Sequence, residues 1–172
     1  MSSSKAVVIL CLLALPAWAA GPNLGVPVSP NDIKAWDIDI APNGDGLPPG
    51  RGNAIQGADL YAQACRSCHG KTGQAGAADE LVGGVGSLAT PDAERTAGSF
   101  WPYAPKLFDY IRRAMPWDHP GSLSNDQVYA VTAWILAQNG IIAPDTVMDS
   151  DRLPKVRMPN RGGFFVEPRD RY

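Results

Sequence analysis

Cysteine is scarce in this chain, at three in 172 residues. Cys11 lies in an apolar N-terminal run, which leaves only Cys65 and Cys68 beyond it. Two thiols so close in sequence cannot staple distant segments, so a disulfide framework is excluded. Histidine is scarcer still, with His69 and His119 alone. A zinc site built on the cysteine pair would need two more ligands, and only His119 and Cys11 remain to supply them. The chain also lacks any excess of positive charge: its formal net charge is −2, and no stripe of basic and aromatic residues occurs. That argues against a nucleic-acid partner. Past the N-terminus no apolar run has the length of a membrane span, and no internal repeat occurs. Glycine and proline, in contrast, are plentiful, at 18 and 16. They cluster outside the segments of helical period, which predicts a compact all-α domain with long irregular N- and C-terminal arms.

The N-terminus reads as a secretory signal peptide over residues 1–20. Lys5 is its only charge, residues 6–15 are almost wholly apolar, Pro16 breaks the run, and Ala17-Trp18-Ala19 forms an A-x-A cleavage pattern. Cleavage is expected after Ala19 or Ala20, and Cys11 leaves with the signal. The formal charge then becomes −3, because Lys5 is lost.

Cys65-Arg66-Ser67-Cys68-His69 carries the chemistry. The C-x-x-C-H pattern is the covalent attachment site of c-type haem. Each thiol adds to one vinyl group of the same porphyrin, and two intervening residues match the gap between the vinyls on a helical turn. The next residue lies under the iron, where the His69 imidazole serves as proximal ligand. A redox dithiol would not need a histidine there. No second C-x-x-C-H occurs, so one haem c is expected, and haem attachment after export places the protein in the bacterial periplasm.

Around this motif the chain divides into an irregular arm over residues 21–52, a haem domain over 53–142 and an irregular tail over 143–172. Six prolines forbid long helices in the arm, while the alternation at Trp36-Asp37-Ile38-Asp39-Ile40 suggests a short strand. Asn53 is placed to cap a helix over residues 53–68. In it, Gly57 precedes Tyr61 by one turn, which suits a close helix crossing with the aromatic packed on the partner. Residues 70–90 read as a loop passing the proximal haem face and offering a backbone oxygen to the His69 N–H. A short helix is expected over residues 91–97. A second long helix covers 105–114, with Leu107, Phe108, Ile111 and Ala114 on one face and Arg112 and Arg113 on another. One of these arginines is expected to pair with a haem propionate or a partner carboxylate. Ser124 with Gln127 forms a capping box for the last helix, which Asn139-Gly140 ends. The tail has too few apolar residues at any period for a core of its own. It is expected to dock on a partner.

Three side chains compete for the distal iron position: Met115, His119 and Met158. Met115 is favoured. It lies between two helices, where a helical cytochrome must return a loop over the haem, and Pro116 holds that loop extended. The competing reading of Met115 is an ordinary core methionine. His119 reads as an exposed loop histidine, and Met158 sits among charges after the final helix.

These residues resemble the class I cytochromes c, from Gly57 and Tyr61 through the Cys65–Gly70 motif and Met115-Pro116 to Trp134 in the closing helix. A closer resemblance covers most of the chain. Gly98-Ser99-Phe100-Trp101-Pro102-Tyr103-Ala104, Leu107-Phe108-Asp109-Tyr110-Ile111-Arg112-Arg113-Ala114-Met115-Pro116 and Leu153-Pro154-Lys155-Val156-Arg157-Met158-Pro159-Asn160-Arg161 are similar to the cytochrome subunit of sulfane dehydrogenase, the SoxD type. That resemblance implies His69 and Met115 as axial ligands and a periplasmic molybdenum-cofactor dehydrogenase subunit as partner. It also implies sulfane sulfur as the ultimate electron source and an acceptor cytochrome or oxidase downstream. Longer members carry a second haem domain. The chain would then be no enzyme itself but an electron-transfer subunit. Two alternatives stand beside this: a free soluble electron shuttle, and a haem sensor or peroxidase with an open iron.

Overall fold

The computed structural model describes residues 24–165. The expected signal peptide and residues 166–172 of the tail lie outside them. The described residues divide after Asp37 into two compact units.

The first unit carries helix α1, Pro30–Trp36. Ser29 caps it: its side chain accepts from the Asp32 N–H, the Asp32 carboxylate accepts from the Ser29 N–H, and Pro30 occupies the first turn. The strand expected over residues 36–40 does not form. The capping chemistry is complete within four residues, whereas an alternating segment gains little without a strand to pair with.

The second unit is helical. It contains α2 (Ala54–Ala64), α3 (Arg66–His69), α4 (Ala104–Ala114) and α5 (Asn125–Gln138), with 3-10 turns at Ser87–Ala89 and Leu153–Lys155. Two minimal strands, β1 (Arg51–Gly52) and β2 (Met148–Asp149), pair antiparallel with Gly52 opposite Met148. The two caps read from the sequence form, at Asn53, where Gln56 completes a capping box, and at Ser124 with Gln127. The helix expected over residues 53–68 is interrupted at Cys65, where φ is −122° and ψ is −34°.

The core forms where α2 crosses α5. A Cβ at Gly57 would overlap the carbonyl of Ala130 and stand 2.9 Å from the Trp134 Cβ, so only glycine permits this approach. One turn on, Tyr61 stacks on Trp134 with ring centroids 3.6 Å apart and planes 21° from parallel. Such pairs contribute about 0.5–1.5 kcal/mol beyond their buried area. α5 is buried nearly all round from Val128 to Leu136, and α4 covers it with Leu107, Phe108 and Ile111.

The tail departs furthest from expectation. Met148, Leu153, Val156 and Met158 are buried in the same core as α2, α4 and α5. The segment is irregular, but its apolar members fill the domain they follow. No helix forms over residues 91–97 either. There the Thr96 hydroxyl accepts from the Gly98 and Ser99 N–H groups and donates to the Gly83 carbonyl. These local bonds supply the backbone with partners that a helix would otherwise provide.

One buried carboxylate orders the outer face of α4. Asp109 is 1% exposed, and its Oδ2 receives both Lys106 Nζ and Arg113 Nη2 at 2.7 Å. Lys106 also donates to the Ile40 carbonyl at 2.8 Å, which ties the chain ahead of β1 to the helix. The Asp109 hydrogen bond, the largest influence, raises the Lys106 pKa above its ordinary value. Arg113 is thereby engaged within the chain. Arg112 and Arg113 both line an open cleft with Ile38, Pro120, Gly121, Leu123 and Asn125.

Candidate functional site

The α2–α3 corner sets the geometry of the site. Because α2 stops at Cys65, that thiol is half-buried against the core, while Cys68, one turn further, is exposed. Burial, and then the neighbouring Cys68, pushes the Cys65 thiol up to about 11. The Cys68 and His69 N–H groups both donate to the Cys65 carbonyl, so the whole motif is one tight turn. Gly70 follows with φ +79°, and a Cβ there would collide with the Gln74 carbonyl. The chain can reverse under the histidine because this residue is glycine.

The loop after Gly70 then closes on the motif. The Ala78 N–H donates to the Cys68 carbonyl at 2.9 Å. His69 Nδ1 lies 2.7 Å from the Asp79 carbonyl oxygen. A carbonyl only accepts, so Nδ1 is the protonated nitrogen, and Nε2 keeps its lone pair for a metal. At the start of the loop, the Tyr61 hydroxyl donates to the Gly70 carbonyl at 2.9 Å. Burial, and then Cys65, pushes the Tyr61 phenol up to about 12, so it stays a donor at neutral pH.

The three distal candidates occupy distinct environments. Met115 is the C-cap residue of α4, on extended backbone with φ −122° and ψ 147°. Its side chain is partly buried and packs against the same core as that of Cys65. The His119 side chain is 75% exposed and pairs with Asp118 at 3.2 Å. Met158 is 2% exposed, as a core residue, and not among solvated charges as its sequence neighbours suggest.

This donor set suits a haem c: two thiols on one turn, an imidazole with its outer nitrogen occupied by a carbonyl, and a thioether packed on the same core. Asp79 was not singled out by sequence, because a backbone acceptor leaves no mark on residue type. The Tyr61 hydroxyl bond was likewise missed, although the ring's packing was legible from its spacing to Gly57.

Residues 52–135 match the family model described as cytochrome c oxidase, cbb3-type, subunit III. No curated protein matches the chain. Among solved structures, the chain is similar to one in the crystal structure of the sulfane dehydrogenase SoxCD from Paracoccus pantotrophus. The identity is 39%, the TM-score is 0.79, and the match covers 87% of this chain and 74% of that one. This chain belongs to the cytochrome c family. As a cytochrome c it is an all-α electron-transfer domain of a haem-binding family, and its helices α2, α4 and α5 are the frame around the motif. No helix among the described residues is long and apolar enough to cross a membrane.

Proposed function

We propose that this cytochrome is a periplasmic monohaem protein that carries electrons as the haem subunit of a molybdenum-dependent sulfur-compound dehydrogenase, of the sulfane or sulfite type. The observation that carries the haem assignment is the His69 Nδ1–Asp79 carbonyl contact beside Cys65 and Cys68. The similarity to a chain of a sulfane dehydrogenase supports the partner.

Cys65 and Cys68 would hold one haem c through thioether bonds, and His69 Nε2 and Met115 Sδ would bind its iron. A bound haem supplies reversible one-electron chemistry. The chain's own residues fix the conditions for it. Asp79 orients the His69 ring and keeps its Nδ1 proton in place. Met115, a soft thioether, would favour the ferrous form and raise the potential. Were His69 and Met115 both to bind the iron, no position would remain there for a substrate, which supports a catalytic site on the partner. Electrons then pass onward to a soluble cytochrome or an oxidase.

Purification of the native protein from its periplasm tests both halves. Haem that stays on the chain in a denaturing gel, with no intact vinyls in the pyridine haemochrome spectrum, supports the attachment. Co-elution with a molybdenum-containing subunit supports the assignment to a complex. A chain that elutes alone, and is reduced as fast by unrelated donors, is a free shuttle instead.

A further inference from the structure

The proximal loop is held at both ends by the last turns of α5. At its start, Tyr61 donates to Gly70 and is itself stacked on Trp134 of α5. At its far end stands Asn139, the C-cap residue of the same helix. The Asn139 Nδ2 donates to the Leu81 carbonyl at 3.0 Å and to the Ile135 carbonyl at 2.9 Å. The Asn139 Oδ1 accepts from the Gly83 N–H at 3.0 Å. The carboxamide thus joins the end of α5 to two backbone groups more than fifty residues away, which lie two and four residues past Asp79. Of the common short side chains, only an amide offers donors and an acceptor in one plane. Leucine would satisfy neither group, and aspartate would face the Leu81 carbonyl with a second acceptor.

We infer that Asn139 is a positioning residue for the proximal histidine. By fixing Leu81 and Gly83 it holds the Asp79 carbonyl against His69 Nδ1, and so sets the electron richness of the imidazole. This rests on His69 being the haem ligand, as proposed above. A firmly held acceptor makes the ring a better donor to iron and favours the ferric form. Loosening the loop weakens that bond and raises the potential.

The test uses the full, haem-loaded chain and two readouts: the midpoint potential, and the exchange rate of the His69 Nδ1 proton followed by NMR in the reduced protein. Asn139→Ala is expected to shift the potential upward and to speed proton exchange about tenfold or more, as local opening of the loop becomes easier. Ser124→Ala removes the cap at the other end of α5. It should lower the melting temperature while leaving both readouts in place. The proposal is overturned if Asn139→Ala moves neither readout, or if Ser124→Ala moves them equally. Should Asn139→Ala not assemble, Asn139→Asp keeps the acceptor for Gly83 and loses both donated bonds, and an unchanged proton exchange rate in it overturns the proposal. The failures are separable: a wild-type chain without covalent haem defeats the haem assignment, whereas loaded protein with an unmoved His69 proton defeats only the role of Asn139.

Discussion

Replacing Gly57 by alanine sets two effects of opposite sign against each other. In an isolated helix the change is favourable by about 1 kcal/mol, since glycine is the poorer helix former. In this fold the new methyl overlaps the Ala130 carbonyl and stands 2.9 Å from the Trp134 Cβ. The obstacle is backbone within α5, which cannot rotate aside as a side chain tip would. Relief requires α2 and α5 to separate, which also strains the Tyr61–Trp134 stack at its 3.6 Å spacing. Overpacking of a core costs about 1–3 kcal/mol, and loss of the aromatic pair about 1 kcal/mol more. Sterics therefore win, with a net loss of about 1–3 kcal/mol after the propensity gain. Urea unfolding of the haem-loaded protein, followed by far-ultraviolet circular dichroism, measures this as a lower midpoint at unchanged slope. A midpoint that rises would show the helices have room at the crossing, and the account of the core would be wrong.

Other outcomes follow from the same structure. Truncation after Gly140 removes Met148, Leu153, Val156 and Met158 from the core. Each contributes about 1.5–3 kcal/mol, together comparable to the whole stability of a small domain. The truncated chain should show no cooperative unfolding transition, and a wild-type melting curve would contradict the core assignment. Met115→Ala should lower the haem potential and admit carbon monoxide, while His119→Ala, at an exposed residue, should do neither. The reverse pattern would transfer the ligand role to His119. Burial, and then Asp149, pushes the Tyr129 phenol up to about 12. The unfolded chain releases that proton near pH 10, so the associated stability is complete below pH 10 and is lost between pH 10 and about 12. Tyr129→Phe should flatten the fall of unfolding free energy across that window, and an unaltered slope would place its cause elsewhere.

Local chemistry was legible in the sequence. The Asn53 cap and the Ser124–Gln127 capping box were readable because such caps close within four residues, although Gln56 emerged as the partner of Asn53 only in the structure. The Gly57–Tyr61 pairing was equally readable, because helical period alone brings both onto one face. The features that escaped depend on distant partners. Asp109 looks like a surface acid on an amphipathic helix, and only the fold surrounds it with Lys106 and Arg113. Leu153 and Val156 carry no periodic signal, since an irregular segment fills gaps residue by residue. Asn139 reads as a helix stop and is one, but its carboxamide also serves a loop that sequence places far away. Arg112 and Arg113 look equivalent in sequence, yet among the described residues only Arg113 finds acidic partners, in Asp39 and Asp109.

The pairing of Gly52 with Met148 has a consequence for how the molecule is made. The segment just ahead of the haem motif is clasped by one that leaves the ribosome nearly a hundred residues later. Until that late segment arrives, the core lacks Met148, Leu153, Val156 and Met158. The domain is therefore completed only when residues 148–158 are present, and a chain stopped before them leaves β1 without its partner.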